Sequence, residues 1–281
     1  MKQYYKASEA IKKLGIPRST FFVLVQTGAI PKVVLPLRKQ ALYRKEDIDK
    51  LASEQATLLG ELEQEPERLR FMAATLKELE QIVEIDKMIF SEETWMTVQE
   101  LQDRQPYNPE ITQVLKDVKT DTVLGYISMS PMKQDVLEKL IRLEIDETSI
   151  RPSDYLFYTQ DEPQDCYIIS MAVRPGIVSA YYAGKMLYAC KNFLLELLER
   201  GIILKHLYTV ATTEEGDRIA KHLGFTPLAT ETEWESKYEN FRRPYALDLE
   251  AKGSQSKLVN EYQRHKKNRG RRLKRYLKES K

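Results

Sequence analysis

The sequence predicts an α/β layered domain with a mixed sheet and flanking helices, preceded by a small, mainly helical module that carries a β wing. Three observations predict this. The chain has 281 residues, more than the roughly 100–200 of a typical single domain. A polar stretch, Glu61 to Arg70, reads as a linker between two regions. Beyond it the patterns run helix, helix, hairpin, central strand, helix, strand, helix, which is the order of a layered α/β sheet.

In the first region Ser8 is placed to cap a short helix, SEAIKKL. Gly15-Ile16-Pro17 makes a turn, RSTFFVLVQT reads as a second helix, and Gly28 ends it. Two β-prone stretches follow, around Val33-Val34-Leu35 and Ala41-Leu42-Tyr43, and the segment from Pro36 to Gln40 between them suits a wing. EDIDKLASEQATLLGELEQ is helical. Ile48, Leu51, Leu58 and Leu62, with Gln55 between, follow a 3-4 alternation that fits either a short homodimer seam or packing against the rest of the chain. Packing is favoured, because the run is under three heptads and contains Gly60.

In the second region TLKELEQIVEIDKMIF and VQELQDRQ read as helices, and ITQVLKDV and VLGYISMS as strands across the turn KTDT. KQDVLEKLIRL is a short helix before an extended segment. DCYIISMAV is an apolar strand long enough to be central. YYAGKMLYACKNFLLELLERG is an amphipathic helix ending at Gly201, followed by the strand LKHLYTVAT, the helix EEGDRIAKHL and a turn at Gly224. The expected divisions are residues 1–60, a linker over 61–74, a domain over 75–254 and a basic, flexible tail over 255–281.

Composition narrows the classes of function. Hydrophobic residues make up 42% and charged residues 31%, an ordinary globular balance. No apolar run approaches the length of about 20 residues that a membrane helix needs, and MKQYYKASEA lacks the apolar stretch of a signal peptide. A cytoplasmic location without membrane contact is therefore expected. Cys166 and Cys190 stand in separate apolar segments without metal spacing, so neither a disulfide nor a metal site is indicated. The net charge of +2 conceals segregation: residues 1–52 carry net +7, residues 255–281 net +9, and the body between them net −14. Basic ends attract polyanions, whereas an acidic body repels them and favours a cationic or amine substrate.

The stretch ASEAIKKLGIPRSTFFVLVQTGAIP, followed by ALYRKEDIDKL, resembles the MerR and excisionase-type helix-turn-helix proteins. The resemblance implies a winged helix-turn-helix that docks on double-stranded DNA, with the first helix supporting the second and the second entering the major groove. It places Arg18, Ser19, Thr20, Phe22, Val23 and Gln26 toward DNA and makes Arg38, Lys39 and Arg44 phosphate contacts. Phe22 and Val23 stand where basic or amide side chains would read bases, and thymine methyl contact would suit them.

From about Thr75 to Leu228 the chain resembles the GNAT superfamily of acyl-CoA N-acyltransferases, on ISMAVRP, then YYAGKMLYACKNFLLELL, then LYTVATTEEGDRIAKHLGF. That resemblance implies acetyl-CoA or another acyl-CoA as co-substrate, and no metal. The central strand would splay from its neighbour and offer backbone at Met171, Ala172 and Val173 to the pantetheine arm. The segment from Ser179 to Lys185, including Tyr182, Ala183 and Gly184, would cradle the pyrophosphate.

The chain departs from the family pattern at three positions. Ser179 and Tyr182 replace a basic or amide residue and a glycine in the pyrophosphate loop, and Ala220 stands where a tyrosine often protonates the leaving thiolate. Tyr208, on the preceding strand, is an available phenol. A base for the substrate amine is sought among Glu144 and Asp146 in LEIDE, with Glu92 in FSEETW another candidate. His206 and His222 belong to neither a nucleophile pattern nor metal spacing and read as surface residues. The tail, SKLVNEYQRHKKNRGRRLKRYLKESK, has the composition of a segment that is disordered or folds on DNA or RNA. Two rival functions are implied by the departures: a non-catalytic transcriptional regulator whose second domain serves as an acyl-CoA sensor or dimerisation body, and a mobile-element accessory protein.

Overall fold

The computed structural model describes residues 3–34, 40–90, 96–160, 162–229 and 242–279, with side chains as far as residue 272. Two compact units share the chain. Met1–Val98, Gln113–Tyr126 and Ala172–Leu187 make the first, and Gln99–Thr112, Ile127–Met171 and Tyr188–Lys281 the second.

The chain opens with strand β1 (Tyr4–Lys6) and helices α1 (Ala7–Leu14) and α2 (Arg18–Gln26). The expected cap at Ser8 is displaced: α1 begins at Ala7, where the Lys6 amide donates to Glu9 Oε2 at 2.7 Å, and Ser8 lies inside the first turn. Gly15 ends α1 with φ at 63°, a left-handed conformation that glycine adopts without a Cβ penalty. The polypeptide then turns through Pro17 into α2. The wing is reduced, among the described residues, to one bridge between Val33 and Leu42, while β2 (Leu42–Arg44) pairs instead with β1. Helix α3 (Lys45–Gln64) closes the module. Ala10, Leu14, Ile16, Phe21, Leu24, Ile30, Tyr43 and Ile48 form its core, with Leu51 and Ile177 packed on it. Of the apolar stripe on α3, Ile48 and Leu51 thus pack within the module, and Leu62 is buried.

Residues 61–74, read as a linker, hold the end of α3, a 3-10 turn and strand β3 (Leu69–Ala73). Helix α4 (Leu76–Ile89) follows, with Thr75 at its N-cap and the Thr75 amide donating to Glu78 Oε2. Then come α5 (Val98–Arg104), β4 (Thr112–Asp117), β5 (Thr122–Pro131) and α6 (Gln134–Ile141). The segment after α6 is not extended but carries two 3-10 turns: the Asp146 carboxylate accepts from the amides of Thr148 and Ser149 at Glu147–Ser149, and the Asp154 carboxylate accepts from the Arg151 amide at Pro152–Asp154. After these turns come β6 (Gln164–Val173), α7 (Ser179–Glu199), β7 (Leu204–Ala211), α8 (Glu214–Leu223), β8 (Thr226–Pro227) and β9 (Arg243–Asp248).

Seven strands form one mixed sheet in the order β3-β4-β5-β6-β7-β9-β8. β6 and β7 are parallel, and β3–β4, β7–β9 and β8–β9 are antiparallel. In the second unit a core of Ile111, Met132, Val136, Leu137, Leu140, Ile150, Tyr155, Tyr167 and Val210 seats α6. Residues 255–281, expected as a flexible tail, contain helix α9 (Lys257–Glu279). Val259 and Tyr262 anchor it, both fully buried. The Tyr262 hydroxyl accepts from the Leu204 amide at 2.9 Å and donates to the Leu204 carbonyl at 3.2 Å.

Candidate functional site

Strand β6 loses its neighbour before it ends. Its register with β7 runs from Gln164↔Leu204 to Ile168↔Thr209 and stops there, although β6 continues to Val173. Two contacts flank the part without a β7 partner. Ile168 O accepts from Thr209 Oγ1 on β7 at 3.1 Å, whereas the Arg174 amide donates to Leu124 O on β5 at 2.8 Å. At the end of β6 the Ala172 carbonyl lies close to β5. Gly125 on β5 permits this close approach: a Cβ there would come within 2.9 Å of Ala172 O.

β6 leads through residues 174–178 into α7. Arg174 is held by Val123 O at 2.9 Å and Glu84 at 3.2 Å, so its guanidinium steadies the turn. The Ser179 amide bonds Gly176 O, and the first helical bond closes at Tyr182 N to Val178 O, 3.1 Å, leaving the N–H groups of the first turn outside the helix ladder. Ser179 Oγ is buried and meets no hydrogen-bond partner among the described residues. A buried hydroxyl beside unladdered amides at the positive end of a 21-residue helix is a setting for an anionic group. Lys185 is exposed, with its ammonium 5.1 Å from the centre of the Tyr181 ring.

The expected cradle over Ser179 to Lys185 is therefore the first two turns of α7 rather than a loop. Tyr182 is buried, edge-on to Tyr181, and burial raises its phenol pKa. Ala183 and Gly184 lie farther along the helix, and a Cβ on Gly184 would meet nothing.

The second unit carries the acid–base candidates. Tyr208 is half-buried on β7, and burial, followed by Asp165 and Asp248, raises its phenol pKa. Its registered neighbour Tyr167 is fully buried and donates to Glu147 Oε1 at 2.6 Å, while Arg242 pairs with Glu147 Oε2 at 3.1 Å. Sequence reasoning missed Glu147 although it named Glu144 and Asp146 beside it, because the partner that fixes it lies 95 residues away. Glu144 is exposed. The Asp146 carboxylate is used as a cap, and the hydroxyl of Thr148 chiefly lowers its pKa against burial.

His206, read as a surface residue, binds Asp165 through Nδ1 at 2.8 Å with Asp248 4.0 Å from Nε2. Ala220 is a buried methyl on α8. Among the described residues no group of three or more His, Cys, Asp or Glu side chains is arranged to hold a metal, and no helix is long and apolar enough to cross a membrane.

On the N-terminal module Arg18, Ser19, Gln26 and Arg44 are exposed, and Thr20 and Val23 are half-buried. Phe22 packs partly on the module core with the Arg18 guanidinium 5.5 Å above its ring, which makes Arg18, Phe22 and Gln26 one stripe at i, i+4, i+8. Arg44 pairs with Glu46 at 3.7 Å. Arg38, Lys39 and Glu92 lie outside the described residues.

No protein-family model matches the chain, and no curated protein matches it in sequence. Solved structures do. Ard1 from Thermoplasma volcanium is similar over 64% of this chain and 95% of its own, at 17% identity and a TM-score of 0.42. The loading GNATL domain of CurA from Lyngbya majuscula is similar over 64% and 97%, at 13% identity and 0.46. The ribosomal-protein-S18-alanine N-acetyltransferase from Escherichia coli is similar over 66% and 97%, at 12% identity and 0.40. At these identities and scores no activity or ligand is carried over from them, and the functional reading stands on the chain's own residues.

Proposed function

We propose that the chain is an acyl-CoA-dependent N-acyltransferase, with acetyl-CoA the favoured donor, whose N-terminal module docks on double-stranded DNA as a winged helix-turn-helix. The observation that carries the catalytic half is the end of β6: backbone without a β7 partner from Ile169 onward, running into a helix start with a buried, unpartnered hydroxyl. An unpaired strand edge is suited to a ligand with alternating amide groups, which a pantetheine arm has. Met171 and Val173 would pair with the arm, and Ser179, the first-turn amides of α7 and Lys185 would hold its phosphates.

The co-substrate supplies a thioester. The reaction is attack of a neutral amine on the thioester carbonyl carbon, with cleavage of the C–S bond, loss of the amine proton to a base or water, and protonation of the departing thiolate. Tyr208 on β7 is the candidate phenol for that last proton, since a phenol is protonated at neutral pH. Glu147, paired with Arg242, accepts from the Tyr167 hydroxyl and serves to position that ring.

Calorimetric titration with acetyl-CoA tests the binding, and CoA release over a panel of amines tests the chemistry. Absence of heat at millimolar acetyl-CoA would remove the enzyme reading. Tyr208→Phe should lower turnover by about 10²–10⁴-fold if general acid catalysis is at work, with little change in acetyl-CoA affinity.

A second reading, a non-catalytic acyl-CoA sensor, is favoured by Ala220, a buried methyl with no room for a phenol without repacking. Cofactor binding without CoA release from any amine would establish it. The DNA reading is supported by the exposed stripe of Arg18 and Gln26 and by net +7 over residues 1–52.

A further inference from the structure

The segment that precedes α7 is fastened to the N-terminal module at two points, one polar and one apolar. Gln55, on α3, donates from Nε2 to Leu14 O at 2.9 Å and also to Ile177 O. Leu14 is the last residue of α1, and its carbonyl is one of those a helix end leaves unpaired, so Gln55 satisfies it just before the Gly15 turn that sets the course of α2. Ile177 packs its side chain on the module core formed by Leu14, Phe21, Ile48 and their neighbours. Two residues later stands Ser179, the buried hydroxyl at the start of α7. One amide nitrogen thus ties the end of α1 to the backbone that enters the proposed phosphate site.

A carboxamide has two N–H donors on one nitrogen, and here each is assigned to a carbonyl of a different segment. Hydrogen bonds weaken steeply with angle, and packed cores switch between discrete arrangements rather than deform smoothly. A displacement of residues 176–178 therefore reaches α1 and α3 through Ile177 and Gln55.

We infer that acyl-CoA binding at the start of α7 is communicated to α1 and α3 through the Gln55–Ile177 clasp, so that occupancy of the cofactor site changes the DNA affinity of the N-terminal module. This rests on the acyl-CoA reading of the α7 site and on the DNA reading of the module. The coupling is reciprocal: a duplex held by α2 must change CoA affinity by the same factor that CoA changes duplex affinity.

Hydrogen–deuterium exchange of the full chain with and without coenzyme A tests the path, with calorimetry of the same samples reporting binding. CoA is expected to slow exchange over residues 172–187 and also over residues 11–20 and 48–58. Gln55→Glu keeps the shape but replaces both donors by acceptors, so it should keep the first protection and lose the second. In low salt, affinity for a mixed-sequence duplex should change about 5-fold or more on CoA addition in the wild type and less than 2-fold in Gln55→Glu.

CoA binding with protection confined to residues 172–187 overturns the coupling while the cofactor reading stands. Protection of residues 11–20 that persists in Gln55→Glu also overturns it, because the clasp is then not the route. Protection that reaches residues 11–20 with unchanged duplex affinity overturns the regulatory part, and a duplex that does not bind in low salt overturns the DNA reading with it. Absence of binding heat from CoA removes the cofactor reading and the coupling together. Should Gln55→Glu fail to fold, the wild-type exchange pattern and the CoA effect on duplex affinity still decide the matter.

Discussion

A methyl group added at Gly125 would stand 2.9 Å from Ala172 O, 3.0 Å from Met186 Sδ and 3.2 Å from Val173 Cγ2. The thioether can turn aside, but the carbonyl belongs to β6 and moves only with the strand. Gly125→Ala is therefore expected to lower stability by about 1–3 kcal/mol, the usual cost of overpacking, and to weaken acetyl-CoA binding by displacing Ala172 and Val173. Urea unfolding and calorimetry check the two effects, and no change in either would mean that the strands yield freely. Charge at single residues sets the acid limit of the fold. Burial pushes the Asp117 carboxyl up, yet hydrogen bonds from Arg68 and from the amides of Lys119 and Thr120 outweigh it and leave its pKa lowered. Asp121 is held down to about 2, chiefly by Lys116 and then by Lys77. A carboxyl lowered in the folded state contributes stability that is fully present above its unfolded value of about 3.9 and is lost as pH falls through the folded value. The melting temperature should thus hold steady in this respect down to about pH 4 and fall below it. Asp117→Asn should start lower, because the buried Arg68 loses its 2.7 Å ion pair and keeps Glu61 at 3.5 Å, and should show a shallower acid decline. A decline parallel to the wild type would assign the acid loss to other carboxylates.

At the scale of elements, α9 shows what a basic sequence can conceal. Its anchors, Val259 and Tyr262, are three residues apart on one face, and the rest of the segment is dominated by Lys and Arg. Two anchors are too few to declare a periodicity, so the composition reads as a tail; what fixes the helix is a pair of hydrogen bonds between the Tyr262 hydroxyl and the backbone of Leu204, 58 residues earlier, one accepted from the amide and one donated to the carbonyl. Removing residues 255–281 should lower the melting temperature measurably, where loss of a flexible tail would leave it unchanged. Tyr262→Phe should cost about 1–3 kcal/mol by leaving the Leu204 amide unpaired, and a smaller change would mean that water replaces the hydroxyl. Helices with several anchors were legible: α4 buries Leu79, Ile82 and Val83, and the long stripe of α7 announces itself. Strand β3 was not, because it begins in the polar run that ends at Arg70 and alternates for only five residues along one edge of the sheet. The same division holds for the candidate site. The central position of β6 follows from its apolar run, whereas the Glu147–Arg242 pair and the Gln55–Ile177 clasp join residues 95 and 122 apart, a distance at which no local pattern speaks.

Across the whole molecule the charge is arranged in blocks: net +7 over residues 1–52, −14 over 53–254 and +9 over 255–281. On the proposed DNA reading a duplex would meet attractive ends and a repulsive body, and its affinity should fall log-linearly with salt, at a slope of about −0.9 for each phosphate neutralised. The two basic blocks are not equivalent. In α9, Arg272 already pairs with Glu199 at 2.6 Å and Lys266 with Glu250, so part of that charge is answered within the chain. In α2, Arg18 is exposed, with its guanidinium 5.5 Å above the Phe22 ring, and no ion pair of Arg18 is seen among the described residues. Arg18→Ala should accordingly make the salt slope shallower by about 1 and weaken binding to all sequences alike, whereas Arg272→Ala should leave the slope almost unchanged. Val23→Ala separates a third effect. If Val23 touches a thymine methyl, it should alter preference among duplexes without altering the slope, because no ion is released on apolar contact. Fluorescence anisotropy of a labelled duplex over a salt series, for the full chain and the three variants, measures all of these at once. Equal slopes for Arg18→Ala and the wild type would remove α2 from the phosphate contacts. A slope changed as much by Arg272→Ala would move the interface to α9.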